Sequence, residues 1–239
     1  MIKTIIFDFD GVLIDTEKKG VIDNYNLLKT NGIDCPNLEE LKELVGTTDI
    51  KNYEYISKVL SIDINEAKLK LEKYIEKNPY TIELFFKGTK DILEYLNKKY
   101  FLIIASNSPM EFIHRMVDEY GIEDYFYKVY SCRDLVVPKP SPEIYNYIVS
   151  SCGLNKEECI VVEDSLIGVE AALKADIKVI GKEDDFLNIS LNKANYLIKD
   201  LKELPDLLRR IDIWLEYYWL DTESMQQGWK KTLKLLLVM

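Results

Sequence analysis

The chain has 239 residues, of which 47% are hydrophobic, and a formal net charge of −10 at pH 7. This length suffices for one large domain or two smaller ones, and the apolar content excludes wholesale disorder. An acidic chain lacks the basic footprint of a nucleic-acid-binding protein. Binding of a phosphorylated anion would need a metal ion or nearby lysines to offset the negative electrostatic potential at the site.

The cysteines and the single histidine limit the metal and redox chemistry. The four cysteines form no Cys-x-x-Cys pair, and together with His114 they supply no ordinary zinc site. No apolar run approaches the roughly 18 residues needed to cross a bilayer, and the N-terminus leads directly into a strand. We therefore expect reduced cysteines, no membrane partner and a cytoplasmic location.

The first predicted element is a strand over residues 2–9. Its almost continuous apolar run is typical of a parallel strand that is buried on both faces. The run ends in Asp8 and Asp10, followed by Gly11. Two carboxylates about 5 Å apart repel by roughly 3 kcal/mol at an effective dielectric of about 20, so a cation or a shared proton is expected there. An ordinary Asp-Gly turn is the alternative interpretation of this stretch alone.

The next segment, residues 18–80, contains helical periodicity and no strand candidate. Helices are predicted over residues 18–31 and 38–45, after Thr48 and Asp49, and over residues 64–77. We expect residues 18–80 to form an all-helical domain, inserted into a core domain of residues 1–17 and 81–211. Residues 212–239 hold all three tryptophans and form a C-terminal extension without an assigned role.

From residue 88 onward, predicted helices alternate with predicted strands. The strands cover residues 101–105, 128–131, 159–162, 178–180 and 196–198, and the helices cover residues 89–99, 111–120, 142–152, 166–175 and 201–210. Ser141 is predicted to cap the helix that begins at Pro142. The alternation predicts an α/β fold with a doubly wound parallel sheet.

Polar residues follow the three strongest predicted strands, in an arrangement that suggests a shared site. They are Asp8 and Asp10, Ser106 and Asn107, and Glu163 and Asp164. Ligands of open parallel sheets bind beyond the carboxyl ends of the strands. Lys139 stands between two prolines, which stiffen its loop. Each residue alone also has an ordinary interpretation, such as helix capping or a surface charge, but their joint occurrence at successive strand ends favours function.

These motifs resemble a known superfamily. Asp-Phe-Asp-Gly-Val (8–12), Ser106, Lys139 and Glu163-Asp164, in this order, are similar to the motifs of the haloacid dehalogenase superfamily, in its β-phosphoglucomutase-like branch. The similarity covers roughly residues 1–210. It implies a Rossmann-like core and a helical cap over residues 18–80 that closes over the site.

The resemblance implies chemical roles for the acidic residues. Asp8 would attack phosphorus and form an aspartyl-phosphate, and Asp10 would protonate the leaving oxygen and later deprotonate the attacking water. Mg²⁺ would be held by Asp8, the Asp10 backbone carbonyl and Asp164, with Glu163 as a further contributor.

The resemblance also implies a set of phosphate-binding groups. Ser106 and Asn107 would donate hydrogen bonds to the phosphoryl oxygens, and backbone near Gly11 would add donors. Lys139 would neutralise charge on the transferring group and on Asp8.

The insert is expected to decide the substrate. Mutases of this branch resemble one another by a histidine and an arginine in the cap, and residues 18–80 contain neither type. A bidentate arginine suits the distal phosphate of a bisphosphate, so its absence favours Mg²⁺-dependent hydrolysis of a small phosphorylated metabolite, preferably a sugar phosphate. The alternatives are a phosphomutase and a non-catalytic interaction protein that docks through the tail. A monomer or weak homodimer is expected.

Overall fold

The computed structural model describes residues 1–134 and 137–223, and the side chains through residue 213. In these residues, six strands form one sheet in the order β3-β2-β1-β4-β5-β6, and every pairing is parallel. The strands are β1 (Thr4–Phe7), β2 (Phe101–Ser106), β3 (Lys128–Ser131), β4 (Cys159–Glu163), β5 (Lys178–Lys182) and β6 (Tyr196–Ile198). The predicted doubly wound α/β fold is confirmed.

The helices separate into those before β2 and those that connect the later strands. The first group is α1 (Thr16–Thr30), α2 (Leu38–Lys42), α3 (Asp49–Leu60) and α4 (Ile64–Lys77). The connecting group is α5 (Thr89–Asn97), α6 (Met110–Tyr120), α7 (Glu143–Cys152) and α8 (Leu166–Lys174), and α9 (Leu204–Glu223) follows β6. Residues 18–80 thus contain helices and no strand, as their periodicity predicts.

The register of the sheet aligns the polar strand ends. Phe7 pairs with Ile104 of β2 and with Val162 of β4, and all three side chains are fully buried. Asp8 and Glu163 therefore follow at the same level of the sheet. Strands β2 and β3 lie on one side of β1, and β4, β5 and β6 lie on the other side. Open α/β sheets bind their ligands at such a switch point, here between β1 and β4.

The first four helices share a hydrophobic cluster. Leu28 of α1, Leu41 of α2, Ile56 of α3 and Ala67 of α4 are fully buried within it. Apolar burial of this kind, at about 25 cal/mol per Å², supplies the main stabilisation of such helices.

The two chain segments that connect these helices to the sheet lie side by side. The Asp15 amide donates to the Leu84 carbonyl (2.8 Å), and the Phe86 amide donates to the Leu13 carbonyl (3.2 Å). Residues 13–15 and 84–86 therefore form paired connections between the sheet and the helices of residues 18–80.

Two local predictions differ from the structure. Ser141 is not the N-cap of α7, because the helix begins at Glu143 and Pro142 occupies the cap without a side-chain hydrogen bond. A proline at the cap has no side-chain acceptor to offer, so Glu143 alone provides the favourable charge in the first turn. The predicted helix over residues 201–210 instead begins as a short 3₁₀ turn, Leu201–Glu203, before α9.

Helix α9 belongs to a compact unit distinct from residues 2–203. It runs from Leu204 to Glu223 without a break at residue 211, where the core domain was predicted to end. The rest of the predicted extension, residues 224–239, lies outside the described residues. Among the described residues, none of the helices combines the length and apolar character needed to cross a bilayer. All four cysteines are free.

Candidate active site

A buried ion network lies at the carboxyl ends of β1 and β4. Lys139 Nζ lies 2.5 Å from Asp8 Oδ1 and 2.5 Å from Glu163 Oε1, and it donates to the Ala105 carbonyl at 2.8 Å. These three acceptors satisfy all three donors of the ammonium group. The Lys139 side chain is only 2% exposed. Tyr145 extends the network, because its hydroxyl donates to Glu163 Oε1 (2.9 Å).

Burial and charge act in opposite directions in this network. Burial would lower the pKa of Lys139, but Asp8 and Glu163 outweigh it and raise that pKa well above its ordinary value. The ammonium group therefore stays charged. Burial also raises the pKa of Asp8, and Lys139 offsets this only in part because Glu163 and Asp164 add negative charge. A further cation beside Asp8 would favour its ionised form.

The residues beside this network fit a hard divalent cation. Asp8, Glu163 and Asp164 each offer a carboxylate oxygen, and these oxygens lie within 4.8 Å of one another. Asp164 Oδ2 is buried and has no hydrogen-bond partner. Burial, together with Glu17 and Glu163, raises the pKa of Asp164 well above its ordinary value. An all-oxygen donor set with an unsatisfied carboxylate oxygen suits Mg²⁺.

Within this set, Glu163 accepts more hydrogen bonds from protein groups than Asp164 does. Glu163 Oε1 accepts from Lys139 and Tyr145, and Oε2 accepts from the Ser165 hydroxyl (3.2 Å). Asp164 is therefore the stronger candidate ligand, and Glu163 holds Lys139 in position.

Gly11 makes room for the Asp164 carboxylate. Its φ is +68°, and a Cβ at this position would lie 1.7 Å from Asp164 Oδ2. The Gly11 amide donates to the Ile14 carbonyl (2.8 Å), so it is not available to a phosphate oxygen. The sequence predicts backbone donors near Gly11, and its own amide is not one of them. Its carbonyl accepts from the buried Lys182 ammonium (2.9 Å). The glycine is thus required for close packing rather than as a donor.

Asp10 is fixed by three hydroxyl groups. Thr16 Oγ1 donates to Oδ1 (2.7 Å), while Ser106 Oγ (3.0 Å) and Ser108 Oγ (2.7 Å) donate to Oδ2. The predicted phosphate ligand Ser106 is fully buried and directs its hydroxyl at Asp10. Ser108 was not among the predicted site residues, although it lies only two residues after Ser106 at the end of β2.

Asn107 joins the site to the helices of residues 18–80. Its Nδ2 donates to the Gly46 carbonyl (3.2 Å), and its Oδ1 accepts from the Lys139 amide (3.1 Å). The Gly46 amide in turn donates to Glu17 Oε1 (3.0 Å). Burial and the nearby Asp10 raise the pKa of Glu17 to about 8. The Gly46 turn, which periodicity indicated only as a helix end, is therefore a contact point with the site.

A cavity of 740 Å³ opens from this site towards α1, α3 and α4. Asp8, Asp10 and Lys139 line it, so the predicted nucleophile and the predicted acid face the same space. Arg115 and Arg133 also line it. They come from α6 and from the turn after β3, whereas residues 18–80 contain no arginine.

Comparison with known proteins identifies the family. A family model of haloacid dehalogenase-like hydrolases matches residues 5–182. The chain belongs to the haloacid dehalogenase-like hydrolases. It is similar to a phosphorylated carbohydrates phosphatase from Thermotoga maritima, with 28% identity over 182 residues that cover 74% of this chain and 83% of the relative. A phosphoglycolate phosphatase from Pseudomonas fluorescens is 26% identical over 212 residues, which cover 84% of this chain and 78% of the relative.

The fold of this hydrolase also matches solved structures. A β-phosphoglucomutase from Clostridium difficile superposes with a TM-score of 0.70 and 22% identity, over 90% of this chain and 99% of that one. The predicted superfamily and the prediction of a phosphatase enzyme within it are confirmed. The metal, the substrate and the roles of individual residues stay predictions.

Proposed function

We propose that this hydrolase is a Mg²⁺-dependent phosphatase that cleaves a small phosphorylated metabolite, preferably a sugar phosphate, through an aspartyl-phosphate. The observation that carries the proposal is the buried Asp8–Lys139–Glu163 network beside the unpartnered oxygen of Asp164, at the end of a large cavity. The name of the Thermotoga relative, a phosphorylated carbohydrates phosphatase, supports this substrate class.

In the first step, an Asp8 oxygen forms a bond to phosphorus and the bond to the leaving oxygen breaks. Lys139, 2.5 Å from Asp8, favours the ionised nucleophile and offsets charge on the phosphoryl group. Mg²⁺ held by Asp8, Asp164 and the Asp10 carbonyl, with Glu163 as a further contributor, would supply additional neutralisation of that charge. Ser106 and Asn107 are proposed as donors for the phosphoryl oxygens. The Ser106 hydroxyl would have to exchange Asp10 for a phosphoryl oxygen, whereas the Asn107 amide has a second N–H besides the one that donates to Gly46.

Asp10 is proposed to carry the proton in both steps. As an acid, it gives its proton to the leaving oxygen. In the second step it takes a proton from water, the water oxygen bonds to phosphorus, and the bond between phosphorus and Asp8 breaks. Such acid–base help is typically worth about 10²–10⁴-fold in rate. The three hydroxyl groups around its carboxylate support this role because they hold it in one orientation.

Residues 18–80 are proposed to act as a cap domain. The paired connections near residues 14 and 85 support a hinge, and the Asn107–Gly46 contact supports closure over Asp8. Closure over the bound substrate would exclude bulk water while the phosphoryl group is transferred to Asp8.

The direct test is phosphate release from a panel of sugar phosphates, with and without Mg²⁺. Asp8→Asn removes the nucleophile with little change in shape, and we expect it to abolish turnover. Glu54→Gln, an exposed change outside the cavity, is the control and should retain turnover. Turnover by the Asp8 variant would exclude Asp8 as the nucleophile, and no release from any ester would refute the phosphatase.

Phosphomutase activity is the second candidate, supported by the fold match to a β-phosphoglucomutase. Phosphorus NMR on an aldose 1-phosphate separates the two activities. A mutase yields the 6-phosphate with little free phosphate, whereas the proposed phosphatase yields free phosphate.

A further inference from the structure

The cavity wall beyond the reacting groups is acidic. Five carboxylate side chains line it there: Glu17, Asp23, Asp49, Glu72 and Glu76. Two guanidinium groups, Arg115 and Arg133, are the cations of that wall among the described residues. Burial raises the pKa of Glu17 to about 8, so this group is mostly protonated near neutral pH, and Asp23 is paired with Lys19. Asp49, Glu72 and Glu76 still outnumber the two guanidinium groups, so a second anionic group on a substrate would enter a space of net negative charge.

The cations of the cavity are already neutralised. Arg133 Nη2 lies 2.5 Å from Asp49 Oδ2, and its Nε donates to the Asn107 carbonyl (3.4 Å). Arg115 lies 3.7 Å from Glu119 and against the Phe112 ring. Since Lys139 is satisfied within the buried network, each cation in the described lining has a carboxylate partner. A substrate anion would have to compete with these carboxylates for the guanidinium groups.

The same wall can accept hydrogen bonds from hydroxyl groups. Asp23 is buried and paired with Lys19, and Asn24 Nδ2 donates to Asn52 Oδ1 (2.6 Å). Tyr80 provides an aromatic surface beside these groups. Carboxylates and amide oxygens accept hydrogen bonds from a polyol, and they repel a second carboxylate or phosphate.

We propose that the cavity selects phosphate monoesters with a neutral, hydroxylated leaving group and discriminates against leaving groups that carry a second anion. This selectivity rests on the proposed phosphatase function. It separates the chain from its Pseudomonas relative, because phosphoglycolate carries a carboxylate next to the ester. Specificity of this kind arises from a repulsive element as much as from attraction.

The test compares matched esters with the full-length protein and Mg²⁺. The pairs are 2-hydroxyethyl phosphate against phosphoglycolate, and glycerol 3-phosphate against 3-phosphoglycerate. We expect kcat/KM for the neutral member to be higher by at least about tenfold, or about 1.4 kcal/mol. An aryl phosphate, whose leaving group carries no second anion, tests whether the protein hydrolyses phosphate esters at all. If it is hydrolysed but the anionic esters are preferred, the selectivity is refuted and the phosphatase stands; if no ester is hydrolysed, both proposals fail.

Variants test whether the acidic wall causes the selectivity. Asp49→Asn removes a wall charge and frees Arg133, so the neutral-to-anionic ratio should fall several-fold. Glu76→Gln should lower the ratio in the same direction, which guards against a folding defect in the first variant. Glu54→Gln also removes one charge and one exposed ion pair on α3, but it does not line the cavity and should leave the ratio unchanged. Equal ratios in all four proteins would overturn the proposal.

Discussion

Gly168 of α8 is the residue outside the site whose change should disturb the site most. A Cβ at Gly168 would lie 2.0 Å from the carboxyl carbon of Glu163, far inside van der Waals contact. Glu163 is fully buried and is held by Lys139 and Tyr145, so its carboxylate has little room to move. Gly168→Ala should therefore displace the carboxylate that orients Lys139.

The expected loss of stability follows from opposing effects at Gly168. Alanine favours a helix interior over glycine by about 1 kcal/mol. Overpacking a well-packed core costs about 1–3 kcal/mol, and weakened hydrogen bonds to the charged Glu163 cost about another 1.5–3 kcal/mol. The steric and hydrogen-bond effects exceed the helical preference, so Gly168→Ala should destabilise the protein by about 1.5–5 kcal/mol and lower turnover.

Gly20 provides the matched control, because it also lies within a helix. The nearest atom to a Cβ there is Tyr80 Oη at 3.9 Å, an ordinary contact. Gly20→Ala should therefore stabilise the protein, by about 0.5–1 kcal/mol. Urea unfolding followed by circular dichroism measures both changes. If Gly168→Ala is as stable as the wild type, or both variants change stability in the same direction, the reasoning from the Glu163 contact is wrong.

Three further predictions concern the site directly. Lys139→Met leaves the buried carboxylate of Asp8 without its cation and should cost about 3–5 kcal/mol near neutral pH. Burial raises the pKa of Asp8 above its unfolded value, so this loss of stability should shrink as the pH falls and Asp8 becomes protonated. Urea unfolding at about pH 5 and about pH 8 measures the loss at both pH values. A loss that is larger at the lower pH would contradict the reasoning. Saturating Mg²⁺ (about 100 Kd) should stabilise the wild type by about 2.7 kcal/mol in a thermal shift assay, but not Asp164→Asn, and equal shifts would argue against Asp164 as a ligand. Ser108→Ala removes one hydroxyl from Asp10 and should lower kcat on the order of tenfold with KM little changed, whereas a change in KM alone would point to substrate binding instead.

The sheet and the site edge were predictable because burial on both faces leaves a plain pattern in the sequence. Phe7, Ile104 and Val162 belong to apolar runs that only a covered parallel sheet accommodates, and each run ends in polar residues. Once these strands are neighbours, their carboxyl ends meet at one edge without further information. Asp8 and Glu163 are therefore brought together by topology, and Lys139 completes the group through its loop.

The contacts around Asp10 were less predictable from the sequence. They depend on how the turns after β1 and β2 fold back, and hydrophobic periodicity carries no information about such turns. Thr16 reaches Asp10 because α1 begins there, two residues before the predicted start of the insert. Ser108 reaches it because the chain turns after β2 and returns towards the sheet edge. Neither turn has a signature beyond ordinary polar residues. The same limit applies to the backbone donors expected near Gly11, because the Gly11 amide itself donates to Ile14 in a tight turn.

The absence of arginine from residues 18–80 favours hydrolysis only if no other segment supplies one to the site. Arg133 lines the cavity from the turn after β3, outside those residues. The preference for hydrolysis over transfer between two phosphates stays a prediction, and the pairing of Arg133 gives it a different reason. Arg133 is bound to Asp49, so the guanidinium that could hold a distal phosphate is already neutralised by the insert itself. In the described wall of this cavity the carboxylates outnumber the guanidinium groups, and this excess is the basis of the proposed selectivity against a second anion.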